Sequence, residues 1–342
     1  MQTTIFDVGV FAAKGHTKKL ETVEAMGYLQ ANGSIKGHYR PRLFRSLVQA
    51  TSNVDILVNM MPADGHEALL DELAGLPVNG ARAIFVASVF SAPNVKRKVP
   101  GLKVLETPTL PYVARWGQSA VNIYDIKKRY IIGPTFDITA KEKEEIAQLF
   151  SLPIDWQPDG LLANLKAVNP IIHTAACVLG YEEIIEAKGQ THFYRNIMAR
   201  ADICAEIEEM SKDIVAVQKA YGYKDSQIED TLTTLNKNYG TDFKSIKEFA
   251  ENSVPHNSEY MCPTTLPDHR YLTQDAKHGL VYLCEVARLR NVEVPAFKRV
   301  LKGASDILNE DLSVTGRTLA NCGMEDATAN DILAAYGAKH RV

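Results

Sequence analysis

The sequence predicts an α/β layer with a largely parallel sheet, followed by an all-helical unit. Three observations lead there. Short apolar runs alternate with helical stretches through the first part of the chain. From about Leu161 onward the apolar residues recur at helical spacing instead. Between the two lies an irregular link, Ile154 to Gly160, with Pro153 and Pro158 beside and within it. Alternation of the first kind is the pattern of strands joined by crossover helices.

In chain order, Thr3 to Phe6 reads as a short strand ending at Asp7. Val54 to Met61 reads as a buried strand, followed by Pro62-Ala63-Asp64-Gly65 and a helix from His66 to Leu73. Ala81 to Ala87 and Leu102 to Glu106 are further strands. Val121 to Ile126 and Arg129 to Ile132 flank Lys127-Lys128 and are expected to form a hairpin. Lys141 to Leu149 is a charged amphipathic helix. Ala199 to Ala220 places Ile203, Ile207, Met210, Ile214 and Val217 on one helical face. His278 to Arg290 and Pro295 to Asn309 complete the helical reading, with Pro295 suited to a first turn.

Composition narrows the function. The chain has 342 residues, 46% hydrophobic and 23% charged, with a net charge of −3. Those values are ordinary for a globular enzyme and argue against a general nucleic-acid binder. Five well-separated cysteines, without a Cys-x-x-Cys pair, point to neither a zinc site nor a disulfide framework. No run of 18 apolar residues and no basic-apolar leader are present, so the expectation is a cytoplasmic chain with no membrane or nucleic-acid partner and no metal, as a monomer or homodimer.

Two segments carry the chemistry. Asn169-Pro170-Ile171-Ile172-His173 sets a histidine inside an apolar helical run, where on the segment alone a packed core role is the commoner reading. Arg270 and Asp275 stand about a hundred residues later. An acid can orient an imidazole, the imidazole can move a proton near neutral pH, and an arginine can grip a carboxylate bidentately. Asp275 also fits an N-cap for the run starting near Ala276.

These segments resemble the signatures of the opine dehydrogenases, the octopine/nopaline dehydrogenase family. The matching pieces are Asn169-Pro-x-x-His173, Arg270-x4-Asp275-x3-Gly279-Leu280-Val281 and Thr109-Leu110-Pro111-Tyr112-x-x-Arg115. They stand in the family's order and at about its spacing. The resemblance implies a Rossmann-like dinucleotide-binding domain over 1–157 and an all-helical substrate and catalytic domain over 158–342. It implies an NAD- or NADP-dependent reductive condensation of an amino acid with an α-keto acid. His173 is then the acid/base residue, Asp275 its partner and Arg270 the keto-acid anchor, with Thr109 and Asn169 as further substrate contacts. Pro62, Ala63 and His66 resemble the family's cofactor-side loop. The chain departs from the family at Gln274, Ala276, Lys277, His278 and Tyr282. The alternatives are a related hydroxy- or keto-acid dehydrogenase and a non-catalytic relative.

The front of the chain lacks the expected strand-Gly-x-Gly-x-x-Gly-helix. Against the family pattern, Thr4 to Asp7 resembles the second strand of the domain, and Asp7 takes the place of the acid that binds the adenosine ribose, favouring NAD over NADP. A competing alignment sets Ala12 to His16 at the end of the first helix. Either way the first strand or its glycine loop is missing, through a start upstream of this one, a natural loss, or another mode of binding.

Overall fold

The structure is a computed structural model that describes residues 8–12, 17–87, 89–150 and 152–338. Its main sheet has five strands in the order β11-β10-β7-β6-β5. These are β5 (Ile56–Asn59), β6 (Arg82–Phe85), β7 (Lys103–Glu106), β10 (Tyr130–Pro134) and β11 (Ile154–Trp156). β5, β6 and β7 run parallel, β10 pairs antiparallel to β7, and β11 is parallel to β10. Apolar runs built this sheet because it is covered on both faces. Ala83 and Phe85 of β6 pack into one core with Leu70 and Val95, whereas Ile84 packs into the other with Leu105, Tyr130 and Ile146.

β5 closes the sheet on one side. Among the described residues no strand pairs with its outer edge, and Val58 and Met60 are 47% and 56% exposed there. This is the side on which the first strand of a complete dinucleotide-binding sheet would lie. The strand expected at Thr3 to Phe6, with Asp7, falls outside the described residues, as do Ala13 to His16.

The remaining strands were not anticipated as a unit. β1 (Gly9–Phe11) pairs parallel with β4 (Arg42–Phe44). A second sheet of four strands has the order β3-β2-β9-β8, formed by β2 (Leu29–Gly33), β3 (Gly37–Tyr39), β8 (Tyr112–Trp116) and β9 (Ala120–Ile126). This corrects the expected hairpin: β9 pairs with β8 and β2, β10 with β7 and β11, and the two never meet. Lys127-Lys128 lacks the left-handed turn residues that a two-residue hairpin requires. The segment passes between the two sheets instead, with the Lys127 N–H donated to Pro111 and the Lys128 N–H to Asn238.

From Gly160 to Ala335 the chain is essentially helical. The helix expected at Lys141 opens at Ala140 on a capping box, Thr139 with Glu142. Pro295 does start its helix, Pro295–Leu308. An apolar helical stretch, Gly160–Leu179, is mostly buried in the helical core. That core also takes in Phe90 from the loop after β6 and Ala92 at the start of the helix that follows it, and Phe90 stacks on Tyr282 at 4.6 Å. A buried ion network joins the same two halves. Glu229 accepts from Arg129, just before β10, and from Lys166, and Arg129 also holds Asp155. Burial pushes the Glu229 carboxyl up, but Arg129 and Lys166 overcome this and hold it well below the usual range.

Candidate active site

Helix α1 (Asn169–Leu179) carries His173 on its second turn, facing a wide helical segment, Tyr271–Leu280, wound as a π-helix. Wide turns of this kind re-aim side chains and are frequent at functional sites. The two segments approach closely because position 279 has no side chain: a Cβ there would lie 2.6 Å from the ring of Pro170. That close packing sets Asp275 opposite His173 across 102 residues of sequence. Nδ1 of His173 lies 2.7 Å from Oδ2 of Asp275, and each residue is 3% exposed.

The environment sets the protonation state. Burial drives the His173 pKa down, Asp275 raises it, and the positive Arg270 and Arg115 lower it again, leaving it below its ordinary value. The imidazole is therefore neutral at pH 7. With Nδ1–H donated to the carboxylate, Nε2 offers its lone pair as a base. Tyr194 Oη lies 2.9 Å from that nitrogen. Burial holds the Tyr194 hydroxyl well above its ordinary pKa, so it stays protonated and donates. Tyr271 stacks on the imidazole at 4.0 Å. Tyr194 was missed in the sequence; it lies on a second π-helical turn, Phe193–Met198, with no motif to mark it.

Two cations flank the pair. Arg270 is exposed, with its guanidinium 5.8 Å from the Tyr271 ring centre. Arg115 is exposed on β8, 4.3 Å over the Tyr260 ring. Asn169 and Asp275 line a cavity of about 10 Å³ together with Ala87, Val89, Phe90 and Pro108. That volume holds one water. A larger cavity of about 950 Å³ opens around Arg288, Lys298 and Asp306, and the pair does not line it.

The expected cofactor-side residues sit at the C-terminal ends of the parallel strands, where open α/β sheets bind ligands. Pro62 and Ala63 follow β5, and Ala63 reaches the helical unit twice: its N–H donates to Gln274 and its carbonyl accepts from Arg317. Arg317, also unforeseen, donates to the Val89 carbonyl as well, so it joins both loops. His66 is wholly buried, bonded through Nε2 to the Met61 carbonyl, and burial with the field of Arg317 lowers its pKa to about 3. Thr109, buried after β7, accepts from Lys127. Asp7 lies outside the described residues. Among the described residues no cluster fit for a metal occurs.

The chain thus joins an α/β sheet to a helical unit, with a neutral, buried His-Asp pair at the junction. Residues 156–308 match the family model for the α-helical domain of NAD/NADP octopine/nopaline dehydrogenases. The chain is 27% identical over 334 residues to Protein ocs of Agrobacterium tumefaciens, covering 95% of this chain and 91% of that one. It is 26% identical to vitopine synthase of Allorhizobium ampelinum, covering 93% and 88%. Among solved structures, octopine dehydrogenase in complex with NADH and agmatine superposes with a TM-score of 0.76 at 16% identity, covering 98% and 93%. NADP+-bound yersinopine dehydrogenase gives 0.68 at 15%, covering 96% and 90%. The chain is opine-dehydrogenase-like in sequence and in fold.

Proposed function

We propose that the chain is an NAD(P)H-dependent enzyme that condenses the amino group of an amino acid with an α-keto acid and reduces the resulting imine. The observation that carries this reading is the buried His173–Asp275 pair, 2.7 Å apart, with Arg270 and Arg115 exposed beside it. Arg270 anchors the keto-acid carboxylate, and Arg115 suits the carboxylate of the amino acid. His173, neutral and held in one tautomer by Asp275, takes a proton at Nε2 from the attacking ammonium group. It returns that proton as the carbonyl oxygen leaves as water. Asp275 stabilises the imidazolium in between.

The loops after β5, β6 and β7 fit the nicotinamide end of a dinucleotide. Asn59 at the end of β5 has a buried amide nitrogen without a partner among the described residues, and Val58 and Met60 lie open nearby. Pro62, Ala63 and the Thr107–Thr109 turn would hold that end. The reduced nicotinamide supplies hydride. An NAD preference rests on Asp7 alone. Free thiols at all five cysteines, four of them buried, fit a reducing cytoplasm. The division into 1–157 and 158–342 follows the same reading, with the site between them.

The test is titration with NADH and NADPH, followed by amino-acid and keto-acid pairs. Nicotinamide oxidation should require both reactants and disappear in His173→Ala, with the fold intact by circular dichroism. Oxidation that needs the keto acid alone would instead make the chain a hydroxy-acid dehydrogenase.

A further inference from the structure

Lys127 is a buried cation without a counter-ion. It is 5% exposed; the other deeply buried lysine among the described residues, Lys166, is paired with Glu229. Its Nζ makes one hydrogen bond, to the Thr109 hydroxyl, and lies 5.5 Å from the Tyr239 ring centre. No ion pair to it occurs among the described residues. Asp125, two positions earlier, turns its carboxylate to the Ile126 N–H. An ammonium group has three donors, and a buried one seldom leaves two unused. Burial and the nearby Arg129 lower the Lys127 pKa to about 7, and an anion beside it would restore its charge.

The position of this cation ties it to the active site. Thr109 directly follows Pro108, which lines the cavity beside Asp275. On the helical side a line of rings connects the two places. Tyr239 lies 4.7 Å from His256, His256 lies 4.5 Å from Tyr194, and the Tyr194 hydroxyl bonds to His173. His256 feels both ends: its pKa is lowered to about 3 by burial and by Lys127, His173 and Arg115. Lys127 is thus linked to His173 through three rings, Tyr239, His256 and Tyr194, and lies deeper than the rim arginines.

Charge supports one ligand chemistry. Arg115 and Arg270 flank the His173–Asp275 pair, and Lys127 adds a third basic group, held by Thr109 next to the cavity-lining Pro108. Two α-carboxylates satisfy the two arginines, and Lys127 remains. Resting on the condensation reading above, we propose that Lys127 and Thr109 form a subsite for a third, distal carboxylate. One reactant is then dicarboxylic, either an acidic amino acid or a dicarboxylic 2-oxo acid. A neutral far end leaves the ammonium group unpaired, and a basic one repels it.

The test is a matrix of rates for the full-length protein with NADH or NADPH. Pyruvate and 2-oxoglutarate are each paired with alanine, glutamate and arginine, in wild type, Lys127→Met and Lys127→Arg. The wild type should favour a pair containing 2-oxoglutarate or glutamate. Lys127→Met should raise KM for that reactant about 10- to 100-fold, the worth of a charge-assisted hydrogen bond. KM for the monocarboxylic partner should stay within a few-fold, and Lys127→Arg should recover part of the loss. Which KM moves tells whether the distal carboxylate comes from the amino acid or the oxo acid. Calorimetric titration of 2-oxoglutarate and of glutamate in the presence of cofactor gives a second readout that needs no turnover. If no pair turns over but Lys127→Met still weakens one dicarboxylate, the condensation reading fails and the subsite stands. Equal KM changes for all reactants, an unchanged KM for the acidic one, or a wild type that favours pyruvate with alanine or arginine overturns the subsite.

Discussion

Replacing Asp275 by Asn isolates what the carboxylate does for His173. The substitution preserves shape and leaves an amide oxygen able to accept from Nδ1–H, but it removes the charge. During proton transfer His173 becomes an imidazolium against a carboxylate, with Nδ1 and Oδ2 2.7 Å apart. With charge centres about 4 Å apart and an effective dielectric near 20, that attraction is about 4 kcal/mol. It corresponds to roughly a thousandfold in rate, inside the range of about 10² to 10⁴ that positioned acid-base groups supply. The flanking Arg270 and Arg115 make an unsupported imidazolium harder still to form. Single-turnover oxidation of the nicotinamide, with both reactants saturating, reads the step directly. The pH profile gives an independent sign. Asp275 raises the His173 pKa, so its loss moves the acidic limb of the profile to lower pH. A rate loss under about tenfold, or an acidic limb that moves upward, would refute the pairing as the source of catalysis.

Tyr194→Phe should act in the opposite direction. Its hydroxyl donates to the neutral Nε2, so removing it raises the His173 pKa and moves the acidic limb up by about one unit or less, measured by the same profile. Glu229→Gln leaves Arg129 and Lys166 without their buried partner and should cost about 3 kcal/mol of stability in a denaturant titration; Asp155 still holds Arg129, which keeps the loss from being larger. Gly279→Ala forces the Pro170 ring and the Asp275 segment apart, so activity should fall about a hundredfold with a stability loss of about 1–3 kcal/mol, separable by kinetics and thermal melting. Stability should also fall on acidification. His66 and His256 have folded pKa values near 3, below the unfolded value of 6.5, so the unfolded chain binds more protons between those limits. Their stabilising effect is complete above about pH 6.5 and is lost as pH falls, at roughly 3 kcal/mol per pH unit for the two together. Equilibrium unfolding between pH 7 and 5 checks the slope.

What could be read in the sequence divides by the range of the interaction. β6 and β7 were legible because a strand covered on both faces is apolar along most of its length, as Ala83, Ile84 and Phe85 are, and β5 because its run of Ile56, Leu57 and Val58 is apolar as well. His173 and Asp275 were legible as chemistry, but their meeting depends on Gly279 passing beneath Pro170, a contact that no spacing encodes. The second sheet was hidden because β2 and β3 are short, partly exposed and rich in Gly, Asn and His, so neither alternation nor burial marks them. Lys127 shows the limit most clearly. In the sequence a Lys-Lys pair between two apolar runs reads as an exposed turn, since lysine is almost never buried unpaired. The structure buries it because the strands on either side belong to different sheets and the crossing carries the chain beneath Thr109. A residue placed against its own solvation preference, at a point where pairing rules failed, is where local preference has yielded to something else. Here the missing anion is what the surrounding geometry lacks, and a ligand is the natural source of it.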